Sequence, residues 1–201
     1  MQINVTQYLD QTVKRYPDKI AVDDTQKTLT FKQLQSKALC IAGYIAEYRL
    51  QNHPIPVFMQ KGCDMVMSFA AINYSGNFYV PIDTKSPESR IKGLFDSLQS
   101  KIVLTNKANY ERLKSFYGGK IICTDEIENG DASRDIVNEI LQNIIDTDPI
   151  YSIFTSGSTG NPKGVVISHR GVIDYTEWVI KTFQLDENTI MANQAPFYFD
   201  N

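Results

Sequence analysis

Cysteine and histidine are scarce in this chain, with three and two copies among 201 residues. Cys40, Cys63 and Cys123 are odd in number and widely spaced, and no C-x-x-C or H-x-x-x-H occurs. That excludes a disulfide framework and gives no zinc site. Three reduced, mostly buried thiols in a cytoplasmic protein are expected instead. A surplus of positive charge is missing too. Twenty Lys and Arg face 23 Asp and Glu, for a net charge of −3. Non-specific nucleic-acid binding needs a basic footprint, so a nucleic-acid partner is not expected. Long apolar runs are absent. The longest nearly apolar stretch, 65–72, is too short to span a bilayer. The N-terminal residues hold no apolar signal core, so no membrane insertion is expected. There is no repeat and no low-complexity tract. What is present is ordinary: 42% hydrophobic and 21% charged residues, as in soluble globular proteins.

Helical and strand-like patterns alternate along the chain. Val5, Tyr8, Leu9 and Val13 fall on one helical face. Short strands are expected at 20–22 and 28–30. Leu34, Ala38, Ile41 and Ile45 then mark a long helix. Strands are expected at 55–59, 78–82, 102–105, 121–123 and 150–155. Asp64 is placed as the cap of a helix to 74 that Gly76 stops. Ser86 and Pro87 are read as N-cap and first residue of a helix to about 98. Further helices are expected at 108–116 and 135–145, with 125–135 a solvated acidic connector. A strand at 164–168 leads to Ser168, which caps a helix to about 183. Trp178 is assigned to helix packing, His169 to a helix start without chemistry, and His53 to an exposed turn. The alternation predicts an α/β fold, layered α/β/α around a largely parallel sheet.

The stretch FTSGSTGNPKGVVISH, 154–169, interrupts this rhythm. Glycines 157, 160 and 164 let backbone amides approach a ligand closely. Successive amides can form an anion nest. Thr155, Ser156, Ser158 and Thr159 add hydroxyl donors, and Asn161-Pro162 forms a turn that presents Lys163. A plain hairpin needs only about two central residues. The common nucleotide loop, G-x-x-x-x-G-K-[ST] followed by a helix, does not match, because Gly164 follows the lysine and β-rich VVIS comes next.

TSGSTGNPKG at 155–164 resembles the phosphate loop of the AMP-forming, acyl-adenylating enzymes, a family that includes acyl-CoA synthetases, luciferases and amino-acid adenylation domains. Other stretches agree in order. LTFKQL at 29–34 resembles the family's LTY-x-EL element. INYSGNFYVPID at 72–83 resembles K-A-G-x-x-Y-V-P-I-D, departing at Asn73-Tyr74-Ser75. NQAPFYFDN at 193–201 resembles the element containing Phe-Asp-x-Ser. The resemblance implies that ATP is gripped through Thr155, Ser156, Gly157, Ser158, Thr159, Gly160, Asn161, Lys163 and Gly164, with Lys163 the catalytic charge. Magnesium would bridge the phosphates, and no residue of this chain is assigned as its ligand.

Asp200 selects a branch. In amino-acid-activating members the matching aspartate pairs with the substrate's ammonium group, which needs an opposite charge once partly buried. The run 174–200 resembles ligases that load D-alanine onto a phosphopantetheine-bearing carrier protein. Peptide-synthetase adenylation domains, acyl-CoA synthetases and an inactive interaction module stay open as alternatives. The family's adenine, ribose and hinge elements would follow position 201. Residues 1–201 are therefore expected to be the N-terminal portion of an AMP-binding domain, inactive in adenylation by itself.

Overall fold

The computed structural model describes residues 2–127, 134–155 and 163–199. Helix α1 (Thr6–Arg15) leads into a small antiparallel pair, β1 (Ile20–Asp23) and β2 (Thr28–Thr30). Then come α2 (Phe31–Ala46), β3 (Pro54–Phe58), α3 (Cys63–Tyr74), β4 (Phe78–Pro81) and α4 (Glu88–Leu98). Next are β5 (Ile102–Thr105), α5 (Lys107–Lys114), β6 (Lys120–Cys123), α6 (Arg134–Asn143), β7 (Pro149–Thr155), β8 (Lys163–Ser168) and α7 (His169–Phe183).

The main sheet has the order β6-β5-β3-β4-β7-β8. Strands β3 to β7 pair in parallel, and β8 returns antiparallel to β7. The largely parallel α/β expectation is borne out. Alternation along the strands divides the core in two. Ile55, Val57, Ile102 and Leu104 pack with Ala38, Ile41, Ile72 and Val137 of α2, α3 and α6. Phe58, Val80 and Val103 pack with Ile91, Leu94, Phe95 and Leu113 of α4 and α5. Helices thus cover both faces, as a parallel sheet requires.

Several local expectations need correction. Asp64 does not cap α3; the cap position is Gly62, and Asp64 sits in the first turn, paired with Lys27. The helix's first amide is satisfied from afar instead. Cys63 N–H donates to Asp24 Oδ2 at 2.8 Å, across from the β1–β2 turn. That bond holds the Asp24 carboxyl below its ordinary range. Burial meanwhile pushes the Cys63 thiol up to about 11. Pro87, not Ser86, is the N-cap of α4, and Ser86 Oγ donates to Asp83 instead. The connector is not wholly solvated: Thr124–Glu126 forms a 3₁₀ turn, and the Asp125 carboxylate accepts from Lys107 N–H at the start of α5. Its residues 128–133 lie outside those described. His53 is half-buried, its Nε2 accepting from Lys101 N–H. Trp178 does not pack into the core. It is 55% exposed on α7, with Tyr175 and Phe183 beside it.

Other features hold. Ser168 Oγ accepts from Gly171 N–H and caps α7. None of the three cysteines forms a disulfide, and Cys63 and Cys123 are buried. Among the described residues no helix is long and apolar enough to cross a membrane. The Asn73-Tyr74-Ser75 departure has a structural account. Tyr74 is buried, and its hydroxyl donates to Asp10 at 2.6 Å, while Gln35 Nε2 donates to the same oxygen at 2.7 Å. Three helices are tied by this network, and the buried phenol is held protonated.

Gly76 stops α3 with φ +71°, and a Cβ there would lie 2.7 Å from Ile140 Cγ2. Gly76→Ala should therefore cost about 1–3 kcal/mol. Gly93, inside α4 with nothing within 4 Å of an added Cβ, should gain up to about 1 kcal/mol as alanine. Urea unfolding midpoints of the two variants check both signs.

Candidate nucleotide site at the carboxyl edge of the sheet

Parallel strands deliver their carboxyl ends to one edge, where ligands of open α/β sheets bind. Three segments meet there. After β3 come Met59, Gln60 and Lys61; after β4 come Ile82, Asp83, Thr84 and Lys85. The third is a strap, 193–199, from the far end of the chain. Together they line a cleft of about 310 Å³. Its floor is apolar (Met59, Met65, Ile82, Pro196, Phe197) and its rim polar.

The strap is held by side chains from earlier elements. Lys61 Nζ donates to Asn193 O and, at 2.9 Å, to Ala195 O. The same ammonium lies 5.4 Å from the Phe197 ring centroid. Phe197 packs edge-on against Phe69 of α3 at 5.5 Å, and Phe69 stacks on Tyr79 of β4 at 3.9 Å. Tyr79 stacks in turn on Tyr151 of β7. Burial and the facing Asp83 carboxylate raise the Tyr198 phenol above its ordinary range. Asp83 also accepts from Lys85 N–H and Ser86 Oγ, which fixes its rotamer. Two of the stretches noted in the sequence, 72–83 and 193–201, thus converge through Asp83 and Tyr198.

The 155–164 stretch opens on the same edge. Tyr79 pairs with Tyr151 in parallel. Asp83 follows β4 and Thr155 ends β7, so both lie at that edge. Thr155 ends β7 opposite Lys163, which begins β8, and Phe154 pairs with Gly164. Thr155 Oγ1 reaches Lys163 O at 3.5 Å. A Cβ on Gly164 would come within 3.0 Å of Phe154 Cζ and Ser152 Oγ, so the glycine admits the aromatic ring across the hairpin. Ser156, Gly157, Ser158, Thr159, Gly160 and Asn161 lie outside the described residues, as does Asp200. Thr155, Lys163 and Gly164 are the parts of the expected site whose positions are described.

His169 does more than begin a helix. It is buried, and its Nδ1 accepts from Val5 N–H at 3.1 Å, while its backbone N–H donates to Asp148 O. The start of α1 is thereby tied to the strand that carries the loop. Tyr8 reinforces this, its hydroxyl donating to Glu177 of α7 at 2.6 Å. No spacing in the sequence signals these contacts, which join residues 164 and 169 positions apart.

The family model for AMP-binding enzymes matches residues 9–201. This chain belongs to the AMP-binding enzyme family. It is 31% identical over 197 residues to D-alanine–D-alanyl carrier protein ligase of Lacticaseibacillus casei, covering 98% of this chain and 38% of that protein. It is 32% identical to tyrocidine synthase 3 of Brevibacillus parabrevis, covering 96% of this chain and 3% of that protein. In structure it superposes on the nonribosomal peptide synthetase FmoA3, AMPPNP-bound form, with a TM-score of 0.85 at 25% identity, covering 98% of this chain and 20% of that one. The chain thus spans well under half the length of the relatives it matches.

Burial lowers the His169 pKa below its ordinary 6.5, with nearby Asp148 partly opposing the shift. The folded chain therefore takes up this proton later than the unfolded chain does. His169's contribution is full above about pH 6.5 and is lost as pH falls toward the folded value. His169→Asn keeps an acceptor near the Nδ1 position and removes the titration. Its urea midpoints between pH 7.5 and 5 should fall less steeply than those of the native chain, by at most about 1.4 kcal/mol per pH unit. His53 shifts in the same direction, so His53→Asn serves as the control.

Proposed function

We propose that this chain contributes the phosphate-gripping part of an ATP-dependent amino-acid ligase, as the N-terminal portion of an AMP-binding domain. The observation that carries this reading is the β7–β8 hairpin, with Thr155 and Lys163 in register at the carboxyl edge. In the proposed reaction an amino-acid carboxylate oxygen attacks the α-phosphorus of ATP. The bond from that phosphorus to the bridging oxygen breaks, and pyrophosphate leaves. The aminoacyl-adenylate then passes its acyl group to a phosphopantetheine thiol of a carrier protein.

Two anions must meet in the first step, so positioning and charge neutralisation dominate. Lys163 supplies a cation at the loop's exit, and the Thr155, Ser156, Ser158 and Thr159 hydroxyls supply donors. Gly157, Gly160 and Gly164 keep the backbone close, and Asn161 turns the chain toward Lys163. Thr155 at the end of β7 and Lys163 and Gly164 at the start of β8 are exposed, which leaves them accessible to the phosphate end of ATP. Magnesium, when bound, would neutralise the phosphate oxygens. Asp200 is proposed to pair with the substrate ammonium, its segment delivered by the strap. D-alanine is the favoured substrate, given the likeness to the L. casei ligase. Another amino acid, as in a peptide synthetase, is the second reading, given the likeness to tyrocidine synthase 3.

Two measurements test this. Titrating pyrophosphate into the 201-residue chain should show binding that Lys163→Ala weakens about ten-fold or more, the loss of one charge-assisted contact, with an unchanged circular dichroism spectrum. Equal binding by the variant would remove Lys163 from the site. For the substrate, residues 1–201 would replace the matching 38% of the L. casei ligase, and the chimera would be screened for amino-acid-dependent ATP–pyrophosphate exchange. D-alanine dependence supports the first reading, another amino acid the second, and a fatty-acid preference neither.

A further inference from the structure

We propose that Lys61 is a positioning residue for the amino-acid side of the site, acting by seating the strap 193–199 on the sheet edge. The inference rests on the reading that Asp200 anchors the substrate ammonium. Its own support is geometric. One ammonium holds two carbonyls of the strap, Asn193 O and Ala195 O, two residues apart. Carbonyls at that spacing are bridged only when the backbone between them is locally fixed. The ammonium also lies over Phe197, the strap's anchoring ring. Phe197 leans on Phe69, and Tyr198 faces Asp83. Within 197–199 the path toward Asp200 is thus set by a ring, a phenol and Lys61's grip just upstream.

The strap has little else to hold it. Ile190 and Met191, just before it, are 94% and 73% exposed, and Phe199 is 58% exposed. Residues 184–192 contribute no strand or helix. The strap is therefore fixed by side-chain contacts rather than by a ladder of backbone bonds, and removing one clamp should move it. Lys61 is itself well placed to act as a fixed post. It lies three residues past β3 and just before Gly62 and Cys63, where the Cys63–Asp24 bond pins the start of α3.

The test compares Lys61→Ala, Lys61→Met and Lys61→Arg. In the 201-residue chain, exchange of the Phe199 amide, which donates to Pro196 O within the strap, should speed about ten-fold or more in the alanine and methionine variants. It should stay near the native rate in the arginine variant, while amides of β3, β4 and β5 keep their protection in all three. In the chimera, KM for the amino acid should rise about ten-fold in the alanine and methionine variants, with KM for ATP near native, and arginine should restore it. Native exchange of the Phe199 amide in Lys61→Ala overturns the clamp. Faster exchange with an unchanged amino-acid KM overturns the positioning role. If the parent chimera shows no amino-acid-dependent activity, the functional reading falls, and amide exchange alone decides whether Lys61 seats the strap.

Discussion

Parallel pairing is the constraint on which the rest of this structure depends. A strand cannot return beside its neighbour in the same direction without a crossover, and each crossover here is a helix. Every strand from β3 to β7 therefore exits at one edge. Gln60 and Lys61, Asp83 and Lys85, and Thr155 collect there although they are far apart in sequence. The same pairing demands that both sheet faces be covered. That is why Val57 and Phe58, adjacent in sequence, belong to separate cores. The edge is the one place where the chain is free to vary without exposing the sheet.

The last strand breaks the pattern, and that break shapes the chemistry. In many nucleotide-binding α/β proteins the phosphate loop runs into a helix, whose N-terminus contributes partial positive charge. Here β7 turns instead into antiparallel β8. No helix follows the loop until His169, six residues past Lys163. An anion held by 155–164 must therefore be stabilised by loop amides, hydroxyls and Lys163 itself. The β7–β8 ladder holds Thr155 and Lys163 opposite each other through six paired positions. Gly164 belongs to that ladder as much as to the loop, since its missing side chain leaves room for Phe154.

Much of this was legible in the sequence because it is local. Apolar runs and 3.6-residue spacing found the strands and helices, and Gly76 and Ser168 marked a stop and a start. The 155–164 composition singled out the loop. What stayed hidden is non-local. Asp24 caps α3 from another element, which made Asp64 look like the nearest candidate. Trp178 looked like core by residue type, yet α7 turns it outward, because Ile173 and His169 occupy its buried side. The Thr30–Gln33 capping box at the start of α2 is local as well, carried by the T-x-x-Q spacing. Lys61 and Asp83 carry no local signal, because what makes them matter is a strap more than a hundred residues away.

Lys61 also differs electrostatically from the lysines held in ion pairs. Lys27 and Lys92 are neutralised by Asp64 and Glu88. Lys61 bonds to two carbonyls and a ring, all of them uncharged. Such partners orient the ammonium without cancelling its charge. A neutral donor at that position could bond the same carbonyls but would leave the edge with no positive charge from this post. With Lys85 on the same cleft and Lys163 at the hairpin, the carboxyl edge retains cations whose fields add over distances comparable to the Debye length. A polyanionic ligand entering between the β4 and β7 ends would meet that field before any contact forms. The choice of carbonyl acceptors thus reconciles two demands on one side chain, fixing a loosely held strap and keeping the edge attractive to anions.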